Sequence, residues 1–227
     1  MFDRTINLIG EKSYLKLKNS NILVIGVGGV GGYAIETLIR SGIENITIVD
    51  YDNIDITNIN RQIIALSTNI GNSKVEEFKK RILSINSNVK VKIIKEKINE
   101  NNINLLFQEN YDYIIDACDT MIVKKLLIKE CHQKNINLIT VCGMGKKLDP
   151  AKIKISDIKD TNYDPLAKVL RKYVKDEKIK GKVMCVSSTE EPIKNNKNMV
   201  TSMMMVPSVA GIYAASYVIN NIIKENK

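Results

Sequence analysis

The 227-residue sequence has few of the residues on which many enzymes depend. It contains no tryptophan, 5% aromatic residues and a single histidine, His132, which lies in a predicted helix and is interpreted as structural. The cysteines form no C-x-x-C pair, which argues against a structural zinc site. No signal peptide precedes the first residues, so free thiols in a reducing cytoplasm are expected. The four cysteines are Cys118, Cys131, Cys142 and Cys185.

Long hydrophobic runs are also scarce. The longest uncharged stretch covers residues 198–223, and it is interrupted by Pro207, Gly211 and several Ser, Thr and Asn residues. A membrane span needs about 20 consecutive, predominantly apolar residues. We therefore predict a buried strand followed by a helix here, without stable insertion into a membrane.

Acidic residues are in the minority. The chain has 34 Lys and Arg against 25 Asp and Glu, which gives a net charge of +9. Such a balance fits a polyanionic partner such as RNA. The lysines are spread along a chain that is generally rich in Lys, Asn and Ile, so charge alone does not assign nucleic-acid binding.

The most informative stretch is NILVIGVGGVGG at residues 21–32. Residues 22–25 form a continuous apolar run, typical of a strand buried on both faces of a parallel sheet. The glycines that follow fit G-x-G-x-x-G and precede apolar residues at helical spacing, which predicts a strand-to-helix turn. Backbone without Cβ atoms can approach a phosphate, and the start of a helix attracts it. The glycines assigned to nucleotide binding are Gly26, Gly28, Gly29 and Gly31.

Charged residues after the glycines bear on the identity of the nucleotide. Asp50 ends a second β-rich run, where a nucleotide-binding fold places the carboxylate that binds ribose hydroxyls. Up to this point NAD and ATP are equally compatible. Arg61 lies in the polar segment that follows, and Lys74 opens a helix with apolar residues at 75, 78, 82 and 85. Each could be an ordinary surface cation, but together at the nucleotide end of the sheet they favour a triphosphate.

A further acidic residue follows the apolar run at 113–115. The sequence YIIDACD at 113–119 predicts a buried strand that ends in acids, at the edge where open α/β sheets bind ligands. Asp119 could hold Mg²⁺ directly or through water, or it could cap the predicted helix at 121–133, or both. Alternation of strands and helices up to this region predicts right-handed βαβ crossovers, and hence a Rossmann-like, mostly parallel α/β sheet with helices on both faces.

The pattern changes after residue 147. Asp149-Pro150 and Asp164-Pro165 mark turns, strands are predicted at 153–155 and 183–186, and a helix is predicted at 166–174. Residues 190–197 are expected to form an exposed loop. No linker, repeat or low-complexity segment separates this part. We therefore predict one domain over 1–227, with a nucleotide-binding core at 1–147 and a smaller C-terminal α+β subregion at 148–227 that completes the fold and the substrate side.

Taken together, the motifs resemble an adenylating family that includes ubiquitin-activating enzymes and the bacterial molybdopterin-synthase and thiamine sulfur-carrier adenylyltransferases. The shared pattern is GxGGxG, D-x-D, T-N-x-N-R-Q, I-G-x-x-K and D-A-x-D, here at 26–31, 50–52, 57–62, 70–74 and 116–119. The resemblance implies ATP and Mg²⁺ as cofactors. It implies contacts from Asp50 to the ribose and from Asp119 to the metal. It also implies contacts from Asn58, Arg61 and Lys74 to the phosphates. Asp52 and Gln62 are assigned to the nucleotide-binding site as well.

Two further segments refine the resemblance. Arg4, in FDRTINLIG, resembles the family's N-terminal arginine that reaches into the partner subunit's site, which implies a homodimer. Segments from Gly143-Met144-Gly145 to Arg171 resemble the branch of tRNA threonylcarbamoyladenosine dehydratases. That branch implies a tRNA substrate whose threonyl carboxylate, beside the anticodon, is adenylated by ATP before a ring closes with loss of AMP. The missing zinc cysteines of the sulfur-carrier enzymes favour this branch, whereas the 188–198 loop follows no assignable pattern.

Other functions remain open from the sequence. One is adenylation of a small carrier protein's C-terminus, with sulfur transfer through a thioester on Cys142 or Cys185. A second is a non-catalytic nucleotide-binding scaffold that presents another protein to RNA. A third is an NAD oxidoreductase. A carboxylate of pKa about 4 is already anionic at neutral pH, so adenylation needs no general base, which fits a chain with one histidine.

Overall fold

The protein, examined as a computed structural model, is described over residues 1–194 and 201–224. Its strands are β1 (Asn21–Ile25), β2 (Asn45–Val49), β3 (Lys90–Ile94), β4 (Tyr113–Asp116), β5 (Asn137–Val141), β6 (Ile153–Asp157) and β7 (Met184–Ser188). They form one sheet in the order β3-β2-β1-β4-β5-β7-β6. Only β6 runs antiparallel to its neighbour among these pairs. The predicted mostly parallel α/β sheet is confirmed.

Seven α-helices surround the sheet in the described residues. They are α1 (Asp3–Ile9), α2 (Glu11–Asn19), α3 (Gly31–Ser41), α4 (Lys74–Ile85), α5 (Met121–Lys134), α6 (Pro165–Asp176) and α7 (Met205–Lys224). Short 3-10 helices lie at Ile56–Asn58, Ile103–Phe107, Pro150–Lys152 and Ile158–Asp160. One face of the sheet packs against α3, α4 and α7, and the other against α5 and the Ile103–Phe107 turn. The central strands are therefore buried on both faces, as their continuous apolar runs predict.

The order of the strands places a crevice at the middle of the sheet. From β1 the chain proceeds to β2 and β3 on one side, and then returns to β4 and β5 on the other. The loops after β1 and β4 therefore lead away in opposite directions, and a gap opens between them at the carboxyl edge. Ligands of open α/β sheets bind at this type of position.

The C-terminal part is built into the same sheet. Strands β7 and β6 continue the sheet beyond β5, and α7 returns across it to pack against α3. Gly211 makes this packing possible, because a Cβ atom there would lie 2.1 Å from the carbonyl oxygen of Val30. Helix α6 closes the other end through a cluster that includes Leu170 and Cys185.

The segment before α7 differs from the prediction. Residues 201–204 form no strand, and residues 198–200 lie outside the described part of the chain. The buried positions Val206, Ala210, Ala214, Val218 and Ile222 recur every four residues, so the apolar residues from Met205 onward fold as a helix. Helix α7 alone among the described helices is long and apolar enough to cross a membrane by length and composition, and half of that stretch is buried within the protein.

Candidate active site

A cavity of about 680 Å³ occupies the crevice at the carboxyl ends of the central strands. Its walls come from the turns after β1, β2, β4 and β5, together with the beginnings of α6 and α7. The cavity therefore collects segments that are far apart in the sequence. The predicted site residues in its walls are Gly26, Gly28, Gly29, Asp50, Asp52, Asn58, Arg61, Gln62, Lys74 and Asp119.

The glycines of the first turn serve two different purposes. Gly26 has a φ of +82°, and an added Cβ would lie 2.8 Å from the carbonyl oxygen of Ala117. At Gly31, in the first turn of α3, an added Cβ would lie 1.8 Å from the carbonyl oxygen of Gly26. Gly31 is absent from the cavity wall, so its position is explained by packing within the turn. Gly28 and Gly29 do face the cavity and keep its floor free of side chains.

Asp50 braces this glycine turn. Its Oδ2 accepts a hydrogen bond from the backbone N–H of Val27 at 2.9 Å, and its Oδ1 accepts one from the N–H of Asp52 at 2.9 Å. Each carboxylate oxygen keeps a further lone pair for a ligand. Asp50 can thus hold the turn in place and still accept bonds from ribose hydroxyls.

Lys74 has an ionic partner inside the protein. Its Nζ lies 2.8 Å from Oδ2 of Asp52, and its side chain is only 6% exposed. The lysine sits at the first position of α4, where Ser73 precedes it as the N-cap residue. Asp52 thus balances the charge of Lys74 and fixes the ammonium group at the cavity wall.

Arg61, by contrast, has only neutral partners. Its Nη1 donates to the carbonyl oxygen of Thr57 at 2.8 Å and to Oδ1 of Asn60 at 3.0 Å. Within the described residues no acidic side chain forms an ion pair with it, so its charge is available to an anion. Asn58 is buried in the same cavity wall, and its Oδ1 accepts a bond from the N–H of Asp55.

Gln62 carries a polar atom that lacks a partner. Its side chain is buried in the cavity wall, and Oε1 has no hydrogen-bond partner among the described residues. A buried acceptor without a partner costs free energy, about 1–3 kcal/mol, unless a ligand or water satisfies it. The glycine floor and the unbalanced Arg61 fit the phosphates of a nucleotide, whereas this acceptor requires a donor such as a hydroxyl or amino group of the same ligand.

Asp119 is exposed at the mouth of the cavity. It does not cap α5, because Thr120 is the N-cap residue and no side chain bonds to the helix start. No group of three His, Cys, Asp or Glu side chains in the described residues could hold a metal by itself. Mg²⁺ usually binds through one or two carboxylates together with phosphates and water. Asp119 therefore suits a metal that arrives with the nucleotide.

A buried ion pair below the cavity was not anticipated from the sequence. Lys124 of α5 and Asp116 of β4 are both 0% exposed at the side chain, and Nζ lies 3.0 Å from Oδ2. The lysine also donates to Thr140 Oγ1 and to the carbonyl oxygen of Val141 at 2.8 Å. Burial lowers the pKa of Lys124, but the neighbouring Asp116 carboxylate raises it more, so the net pKa lies above its usual value. The lysine remains charged.

A second buried pair joins the turn after β5 to α6. Lys147 Nζ lies 3.5 Å from Oδ2 of Asp164 and 2.8 Å from the carbonyl oxygen of Gly143. Asp164 also caps α6 by accepting a bond from the N–H of Ala167. Asp164 belongs to the Asp-Pro turn noted in the sequence, but nothing in the local sequence indicates its partner.

Three of the four cysteines are poorly suited to nucleophilic attack. Cys131 and Cys142 are buried, and Cys118 is half-buried in the cavity wall. Burial, followed by the nearby Asp116 carboxylate, raises the pKa of Cys118 well above its usual range, and burial raises the pKa of Cys131 to about 12. A hydrogen bond with Cys185 and burial raise the pKa of Cys142. These three thiols are therefore protonated at neutral pH, whereas the reactive form of cysteine is the thiolate.

Two residues singled out in the sequence lie outside the cavity. Arg4 is exposed on α1 and has no hydrogen bond or ion pair within the described residues. His132 is exposed in the last turn of α5. The single chain therefore does not bring Arg4 to the other predicted site residues.

Comparison with known proteins identifies the family to which this chain belongs. The ThiF family model matches residues 2–227, and the chain belongs to the ThiF family. It is 39% identical over 241 residues to the tRNA threonylcarbamoyladenosine dehydratase of Bacillus subtilis, which covers 99% of this chain and 95% of that relative. The E. coli tRNA N6-threonylcarbamoyladenosine dehydratase in complex with ATP has 35% identity and a TM-score of 0.92, over 98% of this chain and 93% of that one. The same E. coli enzyme has been solved with AMP, with a TM-score of 0.91.

Proposed function

We propose that this protein is an ATP-dependent tRNA threonylcarbamoyladenosine dehydratase. The observation that carries the proposal is the meeting of the glycine turn, Asp50, Arg61, Lys74 and Asp119 around one cavity. This set provides a floor for a nucleotide, an acceptor for ribose and cations for phosphates. Similarity to dehydratases over nearly the whole chain supports the choice of substrate, and a cytoplasmic tRNA-modifying role is part of the proposal.

The reaction has two steps. The threonyl carboxylate of the modified adenosine attacks the α-phosphorus of ATP, the bond to the β-phosphate breaks, and pyrophosphate leaves. The carbamoyl group then attacks the activated carbonyl carbon, and AMP leaves with one carboxylate oxygen. With the proton lost from the carbamoyl group, the nucleoside loses one water in total. The attacking carboxylate is already an anion, so the first step needs no residue to act as a base.

The residues contribute position and charge. Two anions must be held together in the first step, and a cavity that excludes bulk water strengthens each cationic contact. Arg61 and Lys74 would neutralise the departing pyrophosphate, while Asn58 and Gln62 would orient the nucleotide. Asp119 would help to hold Mg²⁺, which when bound would supply electrostatic stabilisation for the charge on the phosphoryl oxygens.

Nucleoside analysis tests the proposed activity directly. Digested tRNA from a strain lacking this protein should contain linear threonylcarbamoyladenosine and none of the dehydrated, cyclic form. Adding purified protein and ATP–Mg²⁺ to that tRNA should restore the cyclic form, detected by a mass decrease of one water. Unchanged cyclic nucleoside in the deletion strain would refute the proposal. A rise in melting temperature with NAD but not with ATP–Mg²⁺ would favour an oxidoreductase, and ATP binding without turnover would favour a scaffold.

Cysteine replacement separates the dehydratase from a carrier-protein adenylyltransferase. Single Ser or Ala replacements of the four cysteines should leave cyclisation within about tenfold of wild type, because the acyl group stays on AMP. A nucleophilic cysteine would be indispensable. The assay should measure pyrophosphate release and cyclic product in parallel. Loss of ring closure with intact pyrophosphate release in Cys142→Ala or Cys185→Ala would establish the thioester route and a sulfur-transfer partner.

We further infer that the protein acts as a homodimer in which Arg4 completes the partner's site. Support comes from the position of α1, which precedes β1 and presents Arg4 on the surface without an internal partner in the described residues. A two-fold interface would let each subunit give and receive the same residue.

Subunit mixing tests this arrangement. Arg4→Ala and Lys74→Ala proteins should each be inactive, and mixing them should restore activity because one site of each hybrid has both cations. Random exchange makes about half of the dimers hybrids, so recovery should approach about a quarter of the wild-type sites. Tagged subunits should verify the exchange. If exchange occurs and activity does not return, Arg4 does not act across the interface.

A further inference from the structure

The surface beside the cavity carries a concentration of positive charge. Residues 165–182 contain seven Lys or Arg and two acidic residues, a net charge of +5 within a chain whose total is +9. Helix α6 occupies most of this segment, and its first residues, Pro165 and Leu166, form part of the cavity wall. The charge therefore begins at the rim of the site and is not the uniform Lys content of the whole chain.

Three lysines of α6 share one exposed face. Lys168, Lys172 and Lys175 are spaced four and three residues apart, so they lie in a row along the helix. At 1.5 Å per residue the row extends to about 15 Å from the helix start. The three are called the α6 lysine row. None of them forms an ion pair within the described residues, whereas the neighbouring Arg171 is turned inward and donates to the carbonyl oxygen of Thr161.

Acidic groups near this row do little to cancel its charge. Glu177 is paired with Lys129 of α5 at 3.8 Å, and Asp164 with Lys147. Asp176 is exposed at the end of the helix and is the acid on α6 without an ion pair in the described residues. Lys125 of α5 lies over the ring of Tyr173 at 5.4 Å and adds a further cation at the edge of α6.

An exposed aromatic side chain immediately precedes the cavity-wall residues at the start of α6. Tyr163 is 62% exposed, has a φ of +55°, and immediately precedes Asp164 in the cavity wall. A large ring that is left in solvent beside a site has a face free for stacking. Single-stranded RNA loops are recognised by stacking of their bases on such aromatic side chains, with cations along the backbone.

We propose that Tyr163 and the α6 lysine row form the surface that holds the anticodon arm of the tRNA. The row would contact successive phosphates, and Tyr163 would stack on a base next to the modified adenosine as that nucleotide enters the cavity. This assignment rests on the proposed function. It places the nucleic acid on the side of the cavity formed by the C-terminal part, opposite the phosphate-binding Arg61 and Lys74.

Replacing the row tests its role. The triple variant Lys168→Gln, Lys172→Gln, Lys175→Gln should bind linear threonylcarbamoyladenosine tRNA, purified from the deletion strain, on the order of tenfold or more weakly at about 0.1 M salt. The slope of log affinity against log salt should fall by about 2, since each lost phosphate contact contributes about 0.7–0.9. The KM for tRNA should rise, while kcat at saturating tRNA should stay within about twofold of wild type. The rise in melting temperature that ATP causes should stay within a few degrees of the wild-type value.

A matched control carries the same charge change elsewhere. Lys79→Gln, Lys90→Gln, Lys95→Gln removes three lysines near β3, at the opposite edge of the sheet, and should leave affinity and slope nearly unchanged. The variant Tyr163→Ala should bind tRNA about tenfold more weakly, whereas Tyr163→Phe should bind it like wild type because the ring remains. Equal losses of tRNA affinity in both triple variants, or an unchanged salt slope in the α6 variant, would refute the proposed tRNA-binding surface but not the proposed function. Failure of the wild-type protein to bind this tRNA would overturn the proposed function as well.

Discussion

Arg61→Ala should reduce cyclisation on the order of a hundredfold while the protein remains folded. The guanidinium faces the cavity and bonds only to neutral oxygens, from Thr57 and Asn60, so its loss leaves no buried acid without a partner. Removing one electrostatic contact to the charge that develops in the reaction costs roughly 3 kcal/mol of transition-state stabilisation. Single-turnover formation of AMP and cyclic nucleoside, together with the melting temperature, measures both effects.

Arg40→Ala is the matched control for this variant. Arg40 is an exposed arginine of α3 that pairs with Glu36 at 2.7 Å and lies outside the cavity wall, so its removal should leave turnover close to wild type. Arg61→Lys should recover part of the lost rate, because it keeps the charge but not the planar donors. Turnover like wild type in Arg61→Ala would remove this residue from the reaction site.

Lys124→Met should destabilise the protein by about 3–5 kcal/mol. The substitution keeps an apolar stem of similar length but leaves the fully buried Asp116 carboxylate without its cationic partner. Breaking a buried ion pair from one side has costs of this size, because the remaining charge is not solvated. For a chain of this length the melting temperature should fall by roughly 10 °C. Thermal and urea unfolding, with and without ATP, provide the measurement.

Two comparison variants isolate the cause of that loss. Adding Asp116→Asn to Lys124→Met removes the stranded charge and should recover a large part of the stability. Lys129→Met breaks an exposed ion pair with Glu177 and should change stability by at most about 1 kcal/mol. A drop in Lys124→Met no larger than that in Lys129→Met would show that the buried pair does not stabilise the fold.

The features that could be predicted from the sequence are those encoded locally. Continuous apolar runs identified the central strands, and helical spacing identified α4 and α6, because each pattern reports the side that one element buries. The strand-to-helix turn at the glycines follows from residues adjacent in the chain. The assignment of Asp50, Arg61, Lys74 and Asp119 to one site required only that they follow strands whose carboxyl ends share an edge.

What the tertiary structure alone decided is the pairing of charges. Asp52 with Lys74, Asp116 with Lys124, and Asp164 with Lys147 join groups on different elements, and no local pattern states which cation meets which acid. Packing likewise gave Gly31 a role in the turn, and it left residues 201–204 before α7 without the predicted strand. Periodicity indicates only which face of a helix or strand is buried. The choice of its partner depends on how the crossovers bring distant elements together, and that choice pairs Lys74 with an acid while Arg61, in the same cavity wall, has no ion pair in the described residues.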